Sequence, residues 1–325
     1  MLAFAFMALA ALPLPPETNP DLFPGADQYS AAEVELAGMM ALYPGHILHG
    51  PPRANDPANA TRPPKTAQLP REVYYLRIYD LGASLTQIAQ GLNQQLVILD
   101  FRYVTADAAA SEAFAGLLAK AGLASAPVHG IGSIKEPEPL PPAKAEDKDH
   151  PPPVVLALVN GQTSGPLEAW LEAFQEKESV LAVGAPTAGQ PGQYDKYDGQ
   201  PGYFIITGEL RPESGSLTGV GLKPRFLVDV TPQQNDVAYF TVERGTVDVS
   251  TMLRRERTTT TAAPAATGNT TAAPATQSVT VTTEASDLVL QRAVDVVAAL
   301  QVLGRVPASK DAGAAKPAGT TSATP

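Results

Sequence analysis

Three short stretches of this chain are apolar at nearly every position: QLVILDF around Leu96–Leu99, VVLALVN around Val154–Val159, and VLAVG around Val180–Val183. A strand with one wet face alternates, so an unbroken apolar run marks a strand covered on both faces. Helical patterns separate the runs. ASEAFAGLLAKAG reads as a helix ending at Gly122, and LEAWLEAFQE places Leu167, Trp170, Leu171 and Phe174 on one face. Upstream, in REVYYLRIYD, Val73, Tyr75 and Arg77 alternate with Tyr74, Leu76 and Ile78, which predicts a strand. SLTQIAQGLNQ follows as a helix, with Ser84 as its N-cap and Leu85, Ile88 and Leu92 on one face. YFIITGEL and RFLVDV read as further strands. Strands alternating with helices of this length predict an α/β fold around a parallel sheet with right-handed crossovers.

The rest of the 325 residues divides by composition. Residues 1–15 form an apolar, signal-like leader, MLAFAFMALAALPLP, with a small-residue cleavage pattern at Ala8-Leu9-Ala10. It is too short to span a bilayer, and the first basic residue is Arg53. The expectation is export to the periplasm, the envelope or the medium, with no integral membrane segment; the alternative is a disordered apolar leader. Residues 16–70 hold one helical pattern, AAEVELAGMMALYPG, and a Pro-rich linker, PPRANDPANATRPPK. The core is assigned to 71–250, and it carries a Pro-rich charged loop, KEPEPLPPAKAEDKDHPPP. A Thr/Ala/Pro low-complexity insertion occupies 251–286, a helix at 287–304 closes the core, and 305–325 is a disordered tail. The formal net charge of −10 opposes a nucleic-acid partner, which needs a basic face to displace counterions. The absence of cysteine excludes disulfides, thiol catalysis and cysteine–metal sites.

From Arg71 to Leu303 the order of segments resembles the catalytic core of the C-terminal processing, or tail-specific, serine peptidases. EVYYLRIYDLGASLTQIAQGL is similar to that family's opening strand and helix, and LVILDFR to its L-I-L-D-L-R strand. VVLALVNGQTSGPLEA is similar to its V-V-L-V-N strand and nucleophile turn, and AVGAPTAGQ to its V-G-x-x-T-F-G-K segment. GVGLKPRFLVDV resembles its G-x-G-I-x-P-D-x-x-V strand, and DLVLQRAVDVV its closing D-x-Q-L-x-x-A helix. The resemblance implies a ClpP/crotonase-like α/β core. The family's peptide-binding PDZ module finds no counterpart in the short, Pro-rich N-terminal segment.

At the catalytic positions the chain departs from the family. Aligned on Glu168, the nucleophile of S-A-S-E falls on Gly165, and the general-base Lys of F-G-K falls on Gln190. An amide has no basic lone pair at neutral pH and cannot take a hydroxyl proton. The family's oxyanion turn, L-R-x-N-x-G-G, reads Arg102-Tyr103-Val104-Thr105-Ala106-Asp107 here. Its glycines are gone, and the Asp107 carboxylate has the wrong sign for a site where negative charge develops.

Two readings of the site follow. In one the scaffold has lost its chemistry and acts by binding a peptide or unfolded polypeptide segment, with Thr163 and Gly189 beside the groove and strand addition as the mode. In the other, Ser164 is the nucleophile of an active serine endopeptidase, with Lys196 as a remote base and His129 and His150 as further candidates. A third use, as a cell-surface scaffold with the Thr/Ala/Pro segment as spacer, also fits the composition. The helix-start reading of the turn makes Gly165 the N-cap, Pro166 N1 and Glu168 N3. Asp100 and Arg102 are expected to pair and hold a turn, and Gly184, Gly189, Gly219 and Gly221 to serve turns and close approaches. His46 and His49 lack a third ligand nearby, so no metal and no cofactor is implied. Asn59 and Asn269 begin Asn-x-Thr sequons.

Overall fold

The structure, a computed structural model, describes residues 45–54, 56–141, 151–197, 201–244, 248–253 and 286–305. The expected helix in AAEVELAGMMALYPG, the Thr/Ala/Pro segment and the C-terminal tail lie outside the described residues, as does the leader.

The strands are β1 (Ile47–His49), β2 (Lys65–Leu69), β3 (Val73–Arg77), β4 (Leu96–Asp100), β5 (Val128–Gly132), β6 (Val154–Val159), β7 (Val180–Gly184), β8 (Gly192–Lys196), β9 (Tyr203–Pro212) and β10 (Phe226–Leu227). The helices are α1 (Pro57–Ala60), α2 (Leu81–Gly91), α3 (Ala108–Lys120), α4 (Leu167–Glu176), α5 (Pro232–Glu243) and α6 (Leu288–Val302). Six strands form one sheet in the order β10-β7-β6-β4-β3-β2. Its neighbours run parallel except β2, which pairs antiparallel with β3 from Lys65↔Arg77 to Leu69↔Val73.

The continuous apolar runs are covered on both faces, as predicted. On β4, Val97 and Leu99 face the core built with α2, α3 and α4, whereas Leu96 and Ile98 face the core under α5 and α6. On β6, Val155, Ala157 and Val159 face the first core, and Leu156 and Leu158 the second. Phe114, Leu118, Leu171 and Phe174 close the first layer; Val289, Ala293 and Val297 close the second. Each such side chain is worth roughly 1.5–3 kcal/mol when fully buried.

Three expectations need correction. The stretch read as a linker supplies α1 and leads directly into β2, so the sheet begins at Lys65, ahead of the expected boundary at residue 71. The strand in YFIITGEL does not join the parallel sheet. It is β9, the spine of a second, antiparallel sheet with β1, β5 and β8. The N-cap of α2 is Asp80, whose carboxylate accepts from Ala83 N at 2.7 Å; Ser84 lies inside the helix and donates back to the Asp80 carbonyl. Among the described residues no helix is long and apolar enough to cross a membrane.

Asp100 and Arg102 do pair, in a buried network at the end of β4. Arg102 reaches Asp100 through Nε (2.9 Å) and Nη2 (2.7 Å), and reaches Asp287 through Nη1 (3.1 Å) and Nη2 (2.8 Å). Asp287 also caps α6, accepting from Leu290 N. One guanidinium therefore ties the central sheet to the last helix. Tyr75 donates to Asp100, and Arg77 donates to Tyr75, to the Tyr239 carbonyl and to Glu243. Burial alone would raise the Asp100 pKa, but the guanidiniums of Arg102 and Arg77 and the Tyr75 hydroxyl reverse this and hold it below the ordinary carboxylate value.

Removing Arg102 strands two carboxylates in the interior. Arg102→Met is expected to cost roughly 3–5 kcal/mol of unfolding free energy. Arg225→Met, which removes an exposed partner of Glu178, should cost under about 0.5 kcal/mol. Urea denaturation of both variants checks the contrast.

Candidate functional site

In open α/β sheets the ligand crevice lies beyond the carboxyl ends of the strands. Here the segments leaving β4 and β6 meet and pair. Ser164 N donates to Val104 O (3.0 Å) and Ala106 N donates to Ser164 O (3.2 Å), forming a short parallel bridge between Thr105 and Ser164. The two hydroxyls share a hydrogen bond of 2.7 Å. Ser164 is 1% exposed.

The next residue explains why the segments close so tightly. Gly165 has φ +90°, and a Cβ there would lie 2.1 Å from the Ala106 carbonyl oxygen. Its N–H donates to the Gln190 carbonyl at 3.0 Å. The position matching the family's nucleophile thus packs backbone on backbone. The helix start also differs from expectation: α4 begins at Leu167 with Pro166 as its cap, and Gly165 O accepts from Glu168 N.

Glu168 is fully buried and faces inward, where it organises the neighbouring turn. Its carboxylate accepts from the Thr187 hydroxyl, from Gly189 N (2.9 Å) and from Gln190 N (2.9 Å). Burial pushes its pKa up to about 7, although the Thr187 hydroxyl, the two amides and the charge of Arg53 pull the other way. Gly189, with φ +69°, lets the turn approach Val220 and Gly221, and its carbonyl accepts from Gly219 N. The Gln190 side chain accepts from the backbone N–H of Arg53 at 3.1 Å.

These turns border a cavity of about 450 Å³ whose lining includes Arg53, Asp80, Asp107, Gly165, Gln190 and Tyr194. Among the described residues, none that lines it is a lysine or a histidine. Tyr194 donates to the Gly45 carbonyl (2.7 Å); burial and the charges of Glu168 and Glu209 raise its phenol pKa.

The remaining predicted site residues fall elsewhere or serve the frame. Thr163 is wholly buried and does not line the groove. Its hydroxyl donates to Phe101 O and accepts from Asn160 N. Asp107 caps α3, its carboxylate accepting from Ala110 N at 2.7 Å, and the Ala106 N–H is consumed by Ser164. Lys196 is exposed at the end of β8, opposite Phe204, and is not among the cavity's lining residues. His129 is exposed and bonds Glu136; His150 lies outside the described residues. Among the described residues no cluster of His, Asp and Glu could hold a metal ion. Sequence reasoning missed Arg53, Asp80 and Tyr194 as lining residues. Only Asp80, followed by an apolar helix pattern, carried a local signal, that of a cap.

No protein-family model matches the chain, and no curated protein does. Solved structures similar to it include the photosystem II D1 C-terminal processing protease, at 16% identity over 52% of this chain and 45% of that one, TM-score 0.34. They also include a lipoprotein from Streptococcus agalactiae (14% identity, 74% and 96% coverage, TM-score 0.39) and a candidate peptidase from Parabacteroides merdae (13%, 67% and 84%, TM-score 0.42). The chain spans under half the length of the first of these.

Two predictions test this geometry. Gly165→Ser is expected to lower stability by at least about 2 kcal/mol in urea denaturation, because the new Cβ meets the Ala106 carbonyl and the left-handed backbone is strained. For Glu168, the folded chain retains a proton that the unfolded chain has released between about pH 4.5 and 7. Wild-type stability therefore falls as pH rises through that window, by roughly 3 kcal/mol from this group. In Glu168→Gln that slope should flatten, as urea midpoints at pH 5 and 7.5 would record.

Proposed function

We propose that this chain has a tail-specific-peptidase-like fold with a ClpP/crotonase-like core, and that it binds an extended polypeptide without cleaving it. The observation that carries the reading is the sealed turn at Ser164 and Gly165. A nucleophile needs an exposed hydroxyl and a base within hydrogen-bond reach. The Ser164 hydroxyl is buried against Thr105, and the described lining of the adjacent cavity offers neither lysine nor imidazole. The amides of Ala106 and Gly165, which border the expected oxyanion site, are bonded to Ser164 O and Gln190 O. One missing oxyanion donor alone costs roughly 3 kcal/mol of transition-state stabilisation.

Binding is supported by the edge of the second sheet. Among the described residues β8 pairs only with β9, and its residues Gly192, Gln193 and Tyr194 line the cavity. The bonds Leu210 N to Pro191 O and Tyr197 N to Tyr203 O flank the pairs Gly192↔Glu209 and Lys196↔Phe204. An antiparallel pair flanked in this way turns its own N–H and C=O away from the partner strand. The outer edge of β8 is thus a template for one more strand, running out of the cavity. Export of the protein belongs to the same proposal and rests on the apolar leader alone.

The test uses reduced, carboxymethylated lactalbumin as an unfolded probe. Fluorescence anisotropy should show binding, and gels should show no cleavage. A fluorophosphonate should label wild type no more than Ser164→Ala. Lys196→Pro removes an outward N–H and should weaken binding at least about tenfold relative to Lys196→Ala, since proline on an edge strand is tolerated by the fold. Cleavage that disappears in Ser164→Ala would establish the endopeptidase reading instead.

A further inference from the structure

The cavity is already crossed by a piece of this chain. β1 pairs with β9, Gly50 N donates to Gly202 O at 2.7 Å, and Gly45 lies so close to Gly219 that a Cβ would sit 2.3 Å from its nitrogen. That end of the segment is anchored on the second sheet. After α1 the chain enters β2 on the edge of the first sheet, so the other end is anchored there. Between the two anchors, Pro52, Arg53 and Ala54 line the cavity. The Arg53 N–H donates to Gln190 Oε1, the side chain that occupies the family's general-base position, and the Arg53 charge acts on the buried Glu168 behind it.

A single exposed hydrogen bond and two prolines hold this crossing in place, while both ends stay tied. Prolines keep such a segment extended at little entropic cost. A segment held in that way is never far from the cavity and is weakly retained in it. We infer that residues 50–54 are a tethered competitor: they occupy the cavity as an intramolecular peptide and must lift from Gln190 before an incoming polypeptide fills it. The inference rests on the peptide-binding reading above. It also states what the ligand resembles there, an extended segment that offers a backbone N–H to the Gln190 amide oxygen.

The apparent affinity for an incoming ligand is reduced by the fraction of molecules in which the cavity is open. Arg53→Pro abolishes the N–H that Gln190 accepts, while Arg53→Ala removes the guanidinium and keeps the N–H. With carboxymethylated lactalbumin as the probe, the full-length Arg53→Pro protein should bind about five- to tenfold tighter than Arg53→Ala. Thermal melts establish that both are folded; if Arg53→Pro is not, Gln190→Ala removes the same bond from the acceptor side and takes its place. Wild-type hydrogen exchange should show the Arg53 amide protected, and the protection should be lost in Gln190→Ala whether or not polypeptide is present. Equal or weaker binding by Arg53→Pro, with wild type binding, would overturn the competitor and leave the peptide-binding reading standing. An Arg53 amide that exchanges freely in wild type would overturn it as well. Absence of binding by wild type and every variant would remove the peptide-binding reading, and the competitor with it.

Discussion

The arrangement of this site depends on one close approach: the backbone of Gly165 against the carbonyl of Ala106. Only a residue without Cβ, at φ +90°, brings the segment after β6 near enough to pair with the segment after β4. Once that pairing forms, Ser164 must turn its hydroxyl toward Thr105, the amides of Ala106 and Gly165 are spent within the frame, and α4 must start where it does. The cavity lies beside this seam. Its floor is therefore backbone and small side chains, and the polar groups that reach it come from the flanking turns and from the crossing segment at Arg53.

Buried charge is used twice to hold elements that are distant in sequence. Arg102 clamps the end of β4 to the start of α6 through two carboxylates. Glu168 clamps the start of α4 to the turn that carries Gly189 and Gln190. Neither cluster is a cheap source of stability, because desolvation of each ion offsets most of its Coulomb gain. What a fully hydrogen-bonded buried charge does supply is a single geometry: a guanidinium satisfied by two carboxylates and Asn235 has few other ways to be satisfied. The two clamps differ in consequence. Arg102 pulls Asp100 firmly toward its charged form, whereas Glu168 has no full cation within hydrogen-bond reach and so keeps a proton near neutrality.

The parts of the fold legible in the sequence were those where burial on two faces leaves an unbroken apolar record. β4, β6 and β7 and the helices between them are of that kind, and Asp100–Arg102 was legible as a pair because charge beside such a run must be neutralised. The second sheet left no such record. β8 reads GQYDK and β5 reads VHGIG, short and half-exposed strands whose pairing depends on where β9 lies. Lys65–Leu69 was hidden for a related reason, since an edge strand with an exposed face carries polar residues that read as loop. The caps were misplaced by a few residues, because Ser84 and Asp80 are both good caps and only the fold decides which amide is orphaned. At the site, counting from Glu168 reached the right turn, but it could not reveal that Glu168 points inward or that Arg53, in a Pro-rich stretch with no periodicity, lies across the opening.

A cleft can outlive the chemistry it once framed because its shape and its reactivity have separate causes. Shape here comes from the paired segments after β4 and β6, the Glu168 clamp and the edge of β8, all of which act through backbone hydrogen bonds. Reactivity would need an exposed hydroxyl, a basic nitrogen and unpaired amides converging within about 3 Å, a far stricter demand on individual side chains. Exchanging a serine for Gly165 and a lysine for Gln190 removes the second without touching the first. Glycine even tightens the seam, and the Gln190 amide turns a proton acceptor's position into a hydrogen-bond acceptor for a peptide N–H. On the reading proposed here, that is the substitution pattern by which a cutting site becomes a holding site.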